Sequence, residues 1–262
     1  MSSANSASGM RDFMEPSDYV LNFTGCVPRS FADAAGISFL DFSGLSGTHL
    51  FLDPEAGETI RRKIAPFGAH GIHFIDTGDY HYLSKLTAET AGCPFVLVLA
   101  DHHTDMQEGA FGTALSCGDW AGALLRENKA AGCILIGPPG ESIRKIPEDI
   151  RSKVLPLQRE CKDADRNRAA DFCKKLPVYI SIDRDILRPD IFRTDWDQGD
   201  FSMEELSSLL LGVVGARRCG VIGIDICGGL GAEMAAYPES MRLNEKNNFD
   251  LYQFAVRLIG RQ

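Results

Sequence analysis

The sequence predicts an α/β fold, three layers (α/β/α) built on a mainly parallel central sheet. Three observations carry this. Residues 95–100 (FVLVLA), 133–136 (CILI), 177–182 (PVYISI) and 220–226 (GVIGIDI) are apolar at nearly every position rather than at alternate ones. Such runs mark strands buried on both faces, as in parallel sheets. Stretches with helical spacing separate them, and alternation of strand and helix argues for a parallel sheet with helices on both sides. Two of the runs also close on clustered aspartates, one of them with histidines, just where a parallel strand delivers its tip.

In chain order, residues 1–9 are Ser- and Ala-rich without periodicity and read as a disordered tail ahead of one domain over residues 10–262. That length suits a sizeable core, and no linker divides it. Residues 37–42 (ISFLDF) form the first expected strand and 48–52 a shorter one; 54–65 reads as a helix with Pro54 near its first turn. A strand at 72–75 (IHFI) leads to the turn Gly78-Asp79-Tyr80-His81, and 83–91 is helical. After 95–100, a Gly-rich connection over 107–120 (QEGAFGTALSCGDW) precedes a helix over 120–130. Strand 133–136 ends in Gly137-Pro138-Pro139-Gly140, a sharp turn and not a phosphate loop, because no Gly-Lys-Ser/Thr is present. Residues 141–175 are mostly helical, interrupted by a short strand at 154–157, and 162–168 reads as a solvated helix face. Ser202 and Glu205 match a capping box opening a helix over 203–216. Strand 220–226 is the last of the core, and an amphipathic helix over 247–261 closes the fold.

Composition narrows the function. A net charge of −9 argues against nucleic-acid and anionic-membrane partners, which need a basic face. The eight cysteines form no Cys-x-x-Cys pair, so structural zinc and a disulfide framework are poorly supported. No apolar segment is long enough for a signal peptide or a membrane span. The expected location is therefore the cytoplasm, with reduced thiols.

The chemistry is concentrated in Asp101-His102-His103-Thr104-Asp105. If the backbone stays extended, Asp101, His103 and Asp105 point the same way. Carboxylates packed that closely repel one another, and burying them is costly without a cation. The plain alternative is that Asp101 caps a helix and His103 sits in a polar loop. Recurrence favours the cation: the 177–182 strand closes with Asp183 and Asp185 around Arg184, and His81 follows the 72–75 strand. Two imidazoles and four carboxylates result.

These motifs, GDYH (78–81), DHHTD (101–105) and SIDRD (181–185), stand in the order of the signatures of the arginase, agmatinase and formimidoylglutamase family. Over roughly residues 72–229 the chain resembles these ureohydrolases, with Tyr80 inserted before the histidine. The resemblance implies the arginase-like fold and a two-manganese centre held by His81, Asp101, His103, Asp105, Asp183 and Asp185. Donors of oxygen and imidazole without thiolate suit manganese, with iron, nickel or cobalt as alternatives. Asp101 and Asp183 would bridge the ions, and Asp105 would also manage the proton. A metal-bridging hydroxide would attack an sp² carbon bonded to nitrogen, so the implied partner is a small nitrogen-containing substrate: guanidino, amidino, formimino or amide. Ureohydrolases are commonly homo-oligomers, although no periodicity here marks an interface. A magnesium phosphohydrolase is the less fitting relative, since two histidines are unexpected around magnesium.

The chain departs from the family at several points. No histidine follows Asp105, so the usual shuttle histidine is lost or reassigned; Ser116, Cys117 and Asp119 are the nearest polar residues, each also readable as a loop or capping residue. Asp195, Trp196 and Asp197 are unlike the usual substrate loop, and Trp196 either walls a pocket or anchors the loop. Arg184, on the alternate-facing rule, points away from the metals into a salt bridge; turned inward it would favour an anionic substrate. After Asp225-Ile226-Cys227, Gly228 stands where ureohydrolases carry a Glu for the guanidinium, with Glu233 as a possible replacement. That loss motivates a second reading, a metal-binding pseudoenzyme or ligand-binding protein without turnover.

Overall fold

The computed structural model describes residues 17–108, 114–160, 162–173, 176–215, 220–231 and 237–260. The expected tail, Cys161, Cys219 and Glu233 lie outside them. Strands β1 (Tyr19–Asn22), β2 (Ser38–Asp41), β4 (Gly71–Phe74), β5 (Phe95–Ala100), β7 (Ala130–Ile136), β8 (Val154–Leu157), β9 (Val178–Asp183) and β10 (Val221–Cys227) form one sheet. Its order is β2-β1-β4-β10-β9-β5-β7-β8, with every neighbouring pair parallel. The α-helices among the described residues are α1 (Arg29–Ala35), α2 (Pro54–Ile64), α3 (Leu83–Ala88), α4 (Trp120–Arg126), α5 (Gly140–Arg144), α6 (Glu148–Arg151), α7 (Asp163–Cys173), α8 (Met203–Gly215) and α9 (Pro238–Ile259). None of them is long and apolar enough to cross a membrane.

The three layers follow from the two-residue period of a strand. In β5, Val96, Val98 and Ala100 join a core with Phe31 of α1, Leu206 of α8 and Leu251 of α9. Phe95, Leu97 and Leu99 join the opposite core with Ile60 of α2, Leu86 of α3 and Leu125 of α4. Both faces are covered, which is why the run is apolar throughout.

Several expected boundaries move. The strand expected over 37–42 is β2, but β1 precedes it among the described residues; the four residues of β1 are too short a run to stand out, yet all are buried. The strand expected at 48–52 is only β3 (Phe51–Leu52), which pairs antiparallel with β6 (Leu115–Ser116) in a ribbon separate from the sheet. Helix α4 stops at Arg126, and Asn128 takes the left-handed conformation (φ 55°), which turns the chain into β7 at Ala130. Helix α9 starts nine residues before the expected Asn247, because its first half buries asparagines rather than apolar side chains. Asn244 exchanges hydrogen bonds with the backbone of Arg193, and Asn247 donates to Ile191 O, so polar residues dock the 187–201 loop.

The site's location follows from strand order. β9 and β10 lie between β4 and β5, which come earlier in the chain, so the segments leaving β4 and β5 diverge around them. In open α/β sheets such a divergence opens a crevice at the carboxyl ends of the strands.

Candidate metal centre

Three strand ends, those of β4, β5 and β9, supply the six donors. Beyond β4, a 3-10 turn (Gly78–Tyr80) delivers His81, and the additional Tyr80 is absorbed by stacking its ring on Phe23 at 4.4 Å. Asp101 directly follows β5 and still pairs with the sheet, donating its N–H to Ile136 O at 3.0 Å. The backbone does not stay extended through Asp105 as the alternating reading requires: Asp105 has φ 51°. The three motif side chains nevertheless converge, because that turn brings Asp105 back beside His81. Asp183 ends β9 and accepts the N–H of Asp185 at 3.0 Å, folding the next residues into a 3-10 turn (Arg184–Ile186) that presents Asp185.

The donors meet closely. His81 Nδ1 lies 2.9 Å from Asp105 Oδ2 and 3.3 Å from both Asp101 Oδ2 and Asp183 Oδ2. His103 Nδ1 lies 2.8 Å from Asp185 Oδ2 and 3.5 Å from Asp101 Oδ1. Asp101 thus turns one oxygen toward each histidine. Asp183 does not: it lies within ion-pair distance of His81 alone of the two histidines, and its Oδ1 accepts the Asp185 N–H. His81 Nε2 is held by Ser181 Oγ at 2.9 Å, which leaves Nδ1 for the carboxylates. His81, Asp101 and Asp105 form one group with ligand atoms all within 4.8 Å, and Asp101, His103 and Asp185 form another.

The cluster is short of positive charge, with two imidazoles facing four carboxylates. Burial and the neighbouring Asp101 push the Asp105 carboxyl up to about 6. Burial also raises Asp183, and raises Asp185 well above the carboxylate range. Burial would lower His103, but Asp101 and Asp185 outweigh it and lift the imidazole to about 11; His81 is raised in the same way by Asp101, Asp105 and Asp183. Asp101 itself is lowered, its burial outweighed by the two histidines. Its Oδ2 is buried without a well-aligned donor. One N–H cannot serve three carboxylates, whereas a divalent cation can, so the donor set fits two such ions.

No family model matches the chain. An uncharacterized protein of Thermotoga maritima is 28% identical over 211 residues, 78% of this chain and 80% of that protein. Among solved structures, proclavaminate amidino hydrolase from Streptomyces clavuligerus aligns with a TM-score of 0.66 over 92% of both chains at 15% identity. Arginase from Medicago truncatula aligns with a TM-score of 0.63 over 92% of this chain and 87% of that chain at 14% identity. The fold is that of the ureohydrolases.

Within this ureohydrolase fold, a cleft of about 200 Å³ opens onto the six donors. Leu50 and Phe51 wall it from the β3–β6 ribbon, Trp196 from the 187–201 loop, and Gln107, Glu108, Ser116, Cys117 and Gly118 line the rest. The part of the Gly-rich connection over 109–113 is outside the described residues. Trp196 is a wall and not a core anchor: it is 38% exposed, donates from Nε1 to Asp79 Oδ1 at 3.0 Å, and meets the His103 ring edge-on at 5.6 Å. A Cβ at Gly78 would stand 2.8 Å from the indole, so glycine lets the ring approach. Asp119 precedes α4 without capping it; its Oδ1 accepts the Ser116 N–H instead. Trp120 donates to Asp105 Oδ2 at 2.5 Å and packs on His81.

Arg184 does point away from the donors, but not into a salt bridge. It is fully buried in the opposite core, donating to Cys227 O at 2.8 Å and to Asn248 Oδ1, with Phe192 under its guanidinium at 4.6 Å. No carboxylate pairs with it among the described residues. Gly228 (φ 87°) runs against the donors: a Cβ there would lie 2.3 Å from Asp183 Oδ1.

Two features were missed by sequence reasoning. His49, well ahead of the GDYH turn in sequence, places Nε2 3.1 Å from Asp79 Oδ2 beside the Leu50 wall; no local pattern marks it. Cys227 places a sulfur within 4.8 Å of His81 and Asp183 ligand atoms, a neighbour the expected donor set of oxygen and imidazole does not include. Its apolar strand context hides it.

Proposed function

We propose that the protein is a divergent ureohydrolase that hydrolyses a non-peptide C–N bond with two divalent cations, manganese being the first expectation. The observation that supports this best is one imidazole nitrogen of His81 faced by three carboxylates while Asp101 reaches toward the second histidine. His81, Asp101, Asp105 and Asp183 would hold one cation, and Asp101, His103 and Asp185 the other. Bound there, divalent ions would supply Lewis acidity, acidifying water toward neutral pH and offsetting negative charge that develops on the oxygen or nitrogen bonded to an attacked carbon.

The chain's own residues do the rest. Trp196, Leu50 and Phe51 limit the water around a bound substrate. Ser181 holds His81 in the orientation that presents Nδ1. Asp105, fixed by Trp120, is the group we assign to moving the proton. The substrate is a small guanidino, amidino, formimino or amide compound.

Gly228 favours one second reading, a metal-binding protein without turnover, because no carboxylate side chain occupies that position to pair with a guanidinium. Release of urea and ammonia from metal-loaded protein, tested across the four substrate classes, separates the two. Turnover that disappears with chelator and in Asp101→Asn supports the hydrolase. Silence across all four, with cations still bound, supports the binding protein.

A further inference from the structure

Cys227 closes β10 with its sulfur fully buried beneath the cleft. The ligand atoms of Cys227, His81 and Asp183 lie within 4.8 Å of one another, and His81 is also the hub of the Asp101 and Asp105 group. The protein contacts of the sulfur are weak: its S–H points to Thr77 O at 3.5 Å and Asp76 O at 3.7 Å. A second observation points to an ion at this place. Asp101 Oδ2, 3.3 Å from His81 Nδ1, is buried with no well-aligned donor.

Resting on the metal-centre reading, we propose that Cys227 is a thiolate ligand of the cation beside His81, and that this position prefers a thiophilic divalent ion (zinc, cobalt or ferrous iron) over manganese. Soft thiolate donors select such ions, whereas carboxylate and imidazole suit manganese. The neighbouring position, with only Asp101, His103 and Asp185, keeps the harder preference, so the centre is chemically asymmetric. On binding, the thiol proton passes to solvent and a metal–sulfur bond forms, with no change of oxidation state. Without a cation, burial and then Asp183 push the Cys227 thiol well above its usual range, outweighing the Arg184 charge and the Gly228 amide beside it.

Cobalt-loaded intact protein tests this directly. A near-ultraviolet sulfur-to-cobalt charge-transfer band is expected in the wild type and in Cys93→Ser, a thiol at the opposite end of the strands, and not in Cys227→Ser. Zinc affinity should fall in Cys227→Ser by at least the about tenfold loss that even outer-shell changes cause, with manganese affinity at the second position unchanged. If that variant does not fold, X-ray absorption on zinc-loaded wild type reads the shell itself, with one sulfur expected at about 2.3 Å. A shell of oxygen and nitrogen alone overturns the thiolate assignment and leaves the metal centre standing. Failure of the wild type to bind any of these ions overturns both.

Discussion

Asp101 is the residue on which the centre depends, because it alone turns an oxygen toward each histidine. Asp101→Asn and Asp183→Asn are expected to lose bound metal while keeping the fold; elemental analysis should show reduced metal and far-ultraviolet circular dichroism should be unchanged. Gly228→Ala should destabilise by about 1–3 kcal/mol from backbone strain alone, with the clash against Asp183 adding to it, as read by chemical denaturation. Wild-type stability there would mean that the loop can move off the donors. At this scale the six donors were legible because each follows an apolar strand run, and strand ends of a parallel sheet converge. Cys227 was not, since a cysteine inside GVIGIDIC looks like any small core residue until β10 is set beside β9 and β4. The direction of Arg184 was legible from its position between two ligand-type aspartates; its neutral partners were not, because Asn248 and Cys227 O come from distant elements.

Among the elements, α8 was read correctly at its start because its signal is local: Ser202 N donates to Glu205 Oε2 and Glu205 N to Ser202 Oγ. Ser202→Ala should therefore cost about 1 kcal/mol in equilibrium unfolding. Helix α9 was read too short because its docking face is built from asparagines, which periodicity counts as solvent-facing. Asn248→Ala removes an acceptor from the buried Arg184 guanidinium and should cost about 1–3 kcal/mol. A negligible cost would show that Arg184 finds another acceptor. The β3–β6 ribbon, two residues on each side, falls below what alternation can reveal, yet it brings Leu50 and Phe51 to the cleft.

At the scale of the whole molecule, cation binding and stability are linked. The sign for Asp105 is set by its rise to about 6: without metal, the folded state favours its protonated form, so the stabilisation is present in acid and lost as pH rises through about 6. His103, raised to about 11, keeps its proton across that window. A bound cation relieves the repulsion that appears when the carboxylates ionise. The rise in melting temperature on adding manganese should therefore be larger at about pH 7 than at about pH 5. At free metal one hundred times Kd it corresponds to about 2.7 kcal/mol per site. An equal or smaller rise at the higher pH would place the cation elsewhere.

The central claim, that the ends of three neighbouring strands build a two-cation centre, is tested most directly by elemental analysis of native, untagged protein after metal loading and removal of free ion. About two divalent ions per chain are expected, as in other two-metal sites. A protein that retains none, while remaining folded, would contradict the account.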